Sequence, residues 1–92
     1  MFYKIWQTNN RRYVFMDYDY ARGKGFSMND YKVVYEGEID RELKINDTLE
    51  KIFTMLNIAR PEGYNARSLS VSDIVELNGQ KYYVDSLGFT RI

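Results

Sequence analysis

An Asn-Gly dipeptide in the last third of the chain constrains the fold more than any other feature. Asn78-Gly79 separates two runs rich in β-branched and aromatic residues, 73–77 and 80–85. Asn-Gly accepts a positive φ at both central positions of a two-residue turn, so this stretch predicts a β-hairpin. Gly88 permits another bend, and residues 89–92 are expected to add a short edge strand.

The beginning of the chain predicts a second hairpin. Residues 2–7 and 12–16 both have strand-like composition, and the polar residues 8–10 between them favour a turn. Residues 17–22 follow as a short helical segment, with Asp17 as its N-cap.

Residues 31–39 form the clearest single strand of the sequence. Its alternation predicts one buried face, made by Tyr31, Val33, Tyr35 and Ile39. Gly37 interrupts the alternation, and a strand glycine marks either a bulge or the close approach of a neighbouring group.

One principal helix is predicted to begin near residue 46 and to end near residue 57. Asp47 is placed as its N-cap, with Glu50 three residues later as in a capping box. An apolar stripe at helical spacing should face the sheet: Leu49, Ile52, Phe53 and Leu56. Strands and helices do not alternate regularly, so we predict a single α+β domain over residues 1–92. Its mainly antiparallel sheet, with five to six short strands, packs on this helix.

The composition argues against several functional classes. The 92 residues include no His and no Cys, and their 13 basic and 13 acidic side chains balance. No Walker-type loop or metal-spaced carboxylate cluster is present, so we expect a protein without catalytic activity, cofactor or bound metal. No stretch has the length of a signal peptide or membrane span, which predicts a cytoplasmic protein with no membrane partner.

Acidic side chains recur at every second residue after the middle of the third predicted strand: Glu36, Glu38, Asp40 and Glu42. In an extended chain they would stand on one face, about 6.6–6.8 Å apart. That spacing is close to the separation of nucleic-acid phosphates, so the stripe is a candidate surface for a basic protein groove. The alternative is a solvated edge whose charges prevent aggregation.

A serine-rich segment precedes the C-terminal hairpin. In an extended segment, Leu69 and Val71 would lie on one face. The hydroxyls of Ser68, Ser70 and Ser72 would lie together on the other face. These hydroxyls, with Asp73, are candidates for a polar edge that recognises a partner. The alternative is a loop in which they satisfy backbone groups.

Basic residues lie among aromatic ones in the two early loops. Arg11, Arg12, Arg22 and Lys24, with neighbouring aromatics such as Tyr13 and Phe26, are candidates for holding phosphates and stacking bases. A zero net charge argues weakly against a dedicated nucleic-acid-binding protein.

The segment Ser68-Leu69-Ser70-Val71-Ser72-Asp73 resembles the signature of the YodL-like domain family. The resemblance extends over most of the chain, through residues 3–7, 13–16, 35–38, 49–53 and 82–89. Members of this family are small proteins found largely in Firmicutes, often on conjugative elements and prophages. The chain departs from the family pattern at two places, where Arg60 and Arg67 stand in place of histidines. Proton or metal chemistry of those histidines is therefore not available here.

The resemblance implies an accessory protein of a mobile genetic element, without an established general activity. Our leading hypothesis is a module that binds a host or element-encoded protein, as an inhibitor of a host defence system or another host factor. The alternative hypothesis is a nucleic-acid-binding accessory domain that uses the early basic residues.

Overall fold

The computed structural model describes residues 1–92 and contains one sheet, one long helix and one short helix. In chain order the elements are β1 (Phe2–Thr8), α1 (Tyr18–Gly23), a 3-10 turn (Met28–Asp30), β2 (Tyr31–Glu38), α2 (Ile45–Ile58), β3 (Ile74–Leu77), β4 (Gln80–Asp85) and β5 (Gly88–Arg91). The sheet order is β2-β1-β3-β4-β5, and every neighbouring pair is antiparallel. The predicted α+β class, a mainly antiparallel sheet on one principal helix, is confirmed.

The C-terminal hairpin forms as predicted. Asn78 and Gly79 have φ values of 48° and 87°, the left-handed pair that a two-residue hairpin turn requires. Strand β5 follows at the predicted bend, where Gly88 has a φ of 89°.

The predicted N-terminal hairpin is wrong, because residues 12–16 form turns rather than a strand. The carbonyl of Asn10 accepts hydrogen bonds from the backbone N–H groups of Tyr13 and Val14, which coils the chain immediately after β1. Strand β1 instead pairs with β2 on one edge and β3 on the other. Both of its edges are therefore occupied by strands that are distant in sequence.

Strand β2 contains a bulge that reverses part of the predicted facing. Ile5 pairs with Tyr35 and the next residue, Trp6, pairs with Val33, so Val34 is the extra residue. Val33 consequently faces outward and Val34 packs towards the core, against the prediction. Gly37 is not the bulge; a Cβ there would lie 2.8 Å from the Tyr3 hydroxyl oxygen, so this glycine makes room for Tyr3.

Helix α2 begins at Ile45, one residue before the predicted start, and its N-cap lies three residues before the predicted one. Lys44 occupies the N-cap position and Asp47 lies in the first turn, so the predicted capping role of Asp47 is wrong. Leu49, Ile52 and Leu56 of the predicted stripe are buried. Phe53 is only half-buried, with its ring 6.5 Å from that of Phe89.

The sheet has a core on each face. On one face, α2 covers a cluster that includes Ile5, Val75 and Leu77. On the other face, residues 9–30 cover one end of the sheet, where Tyr13, Ala21, Tyr31, Ile74 and Tyr83 pack together. Neither helix has the length and apolar character needed to cross a membrane.

Candidate functional site

Two of the predicted partner-binding residues, Ser72 and Asp73, lie in the interior with no accessible surface. The segment 68–73 is irregular rather than a strand, and Ser68 and Ser70 are half-buried. A partner cannot touch Ser72 or Asp73 in this conformation. Their hydrogen bonds instead organise a neighbouring surface.

Asp73 is the centre of a buried polar cluster. Its Oδ2 accepts hydrogen bonds from the Ser70 N–H (2.8 Å), from Gln7 Nε2 (3.1 Å) and from Arg67 Nη1 (2.9 Å). The same Nη1 lies 2.9 Å from Oδ1, which accepts no hydrogen bond of normal geometry. Burial raises the pKa of the Asp73 carboxyl to about 6, although Ser70, Arg67 and Gln7 all favour the ionised form.

Arg67 connects this cluster to the surface. Asp73 compensates its charge, and its Nη2 donates to the carbonyl of Thr8 (3.1 Å). The guanidinium lies over the ring of Phe15, 5.0 Å from the ring centroid. Asp73 therefore holds the Arg67 guanidinium in the position from which it packs against one face of the Phe15 ring.

Phe15 and Ser72 are joined in an unusual backbone arrangement. Their φ values are 68° and 86°, in the left-handed region that costs a bulky residue about 1–3 kcal/mol. Ser72 Oγ accepts from the Phe15 N–H (2.9 Å), and the Ser72 carbonyl accepts from the Tyr31 hydroxyl (2.6 Å). The surrounding structure thus holds both residues in a conformation that neither prefers.

The loop of residues 13–17, called the Phe15 loop below, is anchored at its other end as well. The Tyr83 hydroxyl donates to the Met16 carbonyl (2.6 Å), and the Asp17 carboxylate accepts from the Ser86 N–H and hydroxyl. Asp17 precedes α1 as predicted but makes no side-chain capping bond, because Ser86 occupies its carboxylate. The backbone is pinned, yet the side chains of Phe15 and Met16 remain 56% and 40% exposed.

The predicted acidic stripe is not continuous. Strand β2 ends at Glu38, so Asp40 and Glu42 do not extend its face. At its two ends, Glu36 pairs with Lys4 (3.7 Å) and Glu42 with Lys51 (3.2 Å). All four acidic residues are exposed, but they do not form one extended row of free charges.

The predicted basic and aromatic residues are separated by the fold. Tyr13 is fully buried, and Phe26 packs between it and Tyr18. Arg22 lies over Tyr18, and Lys24 over Tyr20. The remaining basic pair, Arg11 and Arg12, is exposed.

Arg60, in the first of the two histidine positions, ties the end of α2 to the serine-rich segment. Its Nε donates to the Leu56 carbonyl and its Nη2 to the Ser68 hydroxyl. No group of three or more Asp and Glu side chains in the chain has a geometry that would hold a metal ion.

Sequence reasoning missed Phe15, which it placed in a strand. A positive φ at Phe cannot be read from its neighbours, because turn-forming Gly or Asn is absent there. Arg67 was noticed only as a departure from a family pattern. Its position six residues before Asp73, an acidic residue with which it could pair, was the available signal.

Comparison with known proteins gives a single clear result. The family model of the YodL-like domain matches residues 1–92, the whole chain. No curated protein and no solved structure matches. The chain therefore belongs to the YodL-like domain family.

Proposed function

We propose that this domain is a non-enzymatic module that binds another protein through the Phe15 loop. The observation that carries the proposal is the contrast within this loop. Its backbone is held by buried groups, while the side chains of Phe15 and Met16 stand in solvent.

Exposing these side chains is unfavourable for the isolated domain. A large apolar side chain contributes about 1.5–3 kcal/mol when it is fully buried. Phe15 and Met16 are 56% and 40% exposed, so about half of this contribution is absent here. The positive φ of Phe15 adds strain. Strain of this kind persists where the surroundings over-determine it, and it concentrates at functional sites.

A rigid, exposed aromatic is the usual anchor of a protein interface. Aromatic residues and Met are enriched in the cores of such interfaces, and Phe15 is already ordered before binding. The Arg67 guanidinium beneath its ring limits its mobility further. Little conformational entropy would be lost when a partner covers it.

The family membership adds a biological setting to the proposal. In an accessory protein of a mobile genetic element, the partner would be a host factor, such as a component of a defence system, and binding would inhibit it. Nucleic-acid binding is the less favoured function, because the aromatic residues that would stack on bases, Tyr13 and Phe26, pack inside the domain. Arg11 and Arg12 are the exposed residues that favour it.

The proposal is tested by site-specific photocrosslinking in host cells. A photoreactive phenylalanine analogue replaces Phe15 in one variant and Leu43 in the control, since Leu43 is 95% exposed and lies outside the Phe15 loop. Lysates are treated with nuclease before analysis. We expect a discrete protein adduct from position 15, absent at position 43 and competed away by unlabelled parent but not by Phe15→Ala.

The proposal is wrong if positions 15 and 43 give the same adducts, or if Phe15→Ala competes as well as the parent. A position-15 adduct that is lost after nuclease treatment would favour nucleic-acid binding instead.

A further inference from the structure

The ion pair between Asp73 and Arg67 connects the interior of the domain to the Phe15 loop. Asp73 has no accessible surface, whereas the Arg67 side chain is 29% exposed. No other acidic side chain forms an ion pair with Arg67. The position of the guanidinium therefore depends on the charge of one buried carboxyl group.

The Arg67 guanidinium has three contacts, and only one of them is with a full charge. Its Nη1 lies 2.9 Å from the Asp73 carboxylate, its Nη2 donates to the Thr8 carbonyl, and its Cζ lies 5.0 Å from the centroid of the Phe15 ring. If Asp73 becomes neutral, a cation that is mostly removed from water has no counter-ion. That state is unfavourable, and the guanidinium relieves it by turning towards solvent.

The backbone of the Phe15 loop is held independently of the Asp73 carboxyl. Ser72 Oγ accepts from the Phe15 N–H, and the Tyr83 hydroxyl donates to the Met16 carbonyl. Loss of the Asp73 charge should therefore free the Phe15 side chain while the backbone of the loop keeps its hydrogen bonds.

We propose that protonation of Asp73 releases Arg67 and, with it, the Phe15 ring, so that the Phe15 loop is a proton-controlled docking site. The inference rests on the proposed function for its biological meaning, but the change takes place within the free domain. In the ionised form the ring packs on the guanidinium and is ordered. A partner that binds the ordered ring favours the ionised form, and a proton on Asp73 weakens the partner's binding.

The titratable groups around Asp73 do not compete with it for the proton. Arg67 and Tyr64 interact with it from the segment before β3, Tyr31 from β2, and β1 contributes the uncharged Gln7. Burial raises the pKa of both tyrosines, so both stay neutral while Asp73 titrates. Burial also raises the pKa of Asp73 to about 6, and the chain contains no His that would titrate there.

The test is NMR spectroscopy of the free domain between about pH 4.5 and 7.5. The ring protons of Phe15 and the Nε–H of Arg67 should shift together, with the midpoint of about 6 that the Asp73 carboxyl carbon shows. The Phe15 backbone N–H should remain protected from exchange at both ends of the range.

Three variants assign the change to the ion pair. In Asp73→Asn, the ring resonances should no longer depend on pH and should match those of the acidic parent. Asp40→Asn removes an exposed carboxyl and should titrate like the parent. In Arg67→Gln, Asp73 should still titrate, but the Phe15 ring should no longer follow it; this variant decides if Asp73→Asn does not fold.

The inference is overturned by parent ring resonances that stay constant while Asp73 titrates. A ring that still titrates in Asp73→Asn, or that follows Asp73 in Arg67→Gln, overturns it equally.

Binding provides a separate readout. In the photocrosslinking competition at neutral pH, unlabelled Asp73→Asn should compete severalfold less well than the parent, and equal competition overturns the control of docking. If the ring titrates as expected but position 15 gives no protein adduct, only the proposed function fails. If the adduct forms but the ring does not follow Asp73, only the present inference fails.

Discussion

The buried carboxyl of Asp73 should make the stability of the domain depend on pH in an unusual direction. Its pKa is raised from 3.8 to about 6 in the folded chain, chiefly by burial. Between these two values the folded state binds the proton that the unfolded state releases. The contribution of this group to stability is therefore fully present below about pH 4 and is lost as pH rises through about 6.

The magnitude follows from the size of the shift. A difference of about two pKa units corresponds to about 3 kcal/mol between the acidic and the neutral limit. The Arg67 ion pair already reduces this difference, because it favours the ionised carboxylate. Arg67→Gln should consequently raise the pKa of Asp73 above its value in the parent.

The assay is urea unfolding of the parent and of Asp73→Asn at several pH values between about 3.5 and 7.5. The stability of the parent relative to Asp73→Asn should fall by about 3 kcal/mol over this range. Asp40→Asn removes one exposed carboxyl and controls for the change in net charge. In parallel, the carboxyl carbon of Asp73 should titrate near pH 6 by NMR. A relative stability that rises with pH would refute the reasoning, because the carboxylate would then be stabilised, not penalised, by its site.

Two further predictions concern packing and the Phe15 loop. Ser72→Ala removes the acceptor of the Phe15 N–H and should lower the free energy of unfolding by about 1–3 kcal/mol, measured by urea denaturation; no loss of stability would show that this bond does not hold the loop. Leu49→Ala should lower the free energy of unfolding by about 2–5 kcal/mol, because Leu49 is fully buried. Phe53→Ala should lower it by less than the roughly 3–5 kcal/mol of a buried aromatic, because Phe53 is half-buried. Equal losses in the two variants would contradict the placement of Phe53 at the margin of the core.

The parts of the fold that could be predicted depend on local signals. The Asn78-Gly79 turn specifies its own hairpin, and the stripe of Leu49, Ile52 and Leu56 specifies the buried side of α2. The prediction of an N-terminal hairpin failed because β1 pairs with strands that are distant in sequence, and no local signal specifies that pairing. Residues 12–16 have strand composition, but β1 pairs instead with β2 and β3, which follow much later in the chain.

The candidate site was less predictable than the fold. Serine and aspartate are usually exposed, so the complete burial of Ser72 and Asp73 contradicts the ordinary expectation. Their burial depends on donors that arrive from distant parts of the chain: Gln7, Phe15 and Arg67. The bulge at Val34 likewise reverses the facing of β2, although nothing in its residues marks it.

The central position of β1 has a consequence for how the domain is made. β1 leaves the ribosome before the other strands of the sheet, but one of its two neighbours, β3, begins only at Ile74. Until β3 emerges, the backbone groups on one edge of β1, the strand that contains Tyr3 and Ile5, stay unpaired. Folding of the sheet must therefore wait until β3 has been synthesised, and the long sequence separation of this pairing should make folding slow relative to helical domains of equal size. A nascent chain stalled before residue 74 would be a natural substrate for chaperones.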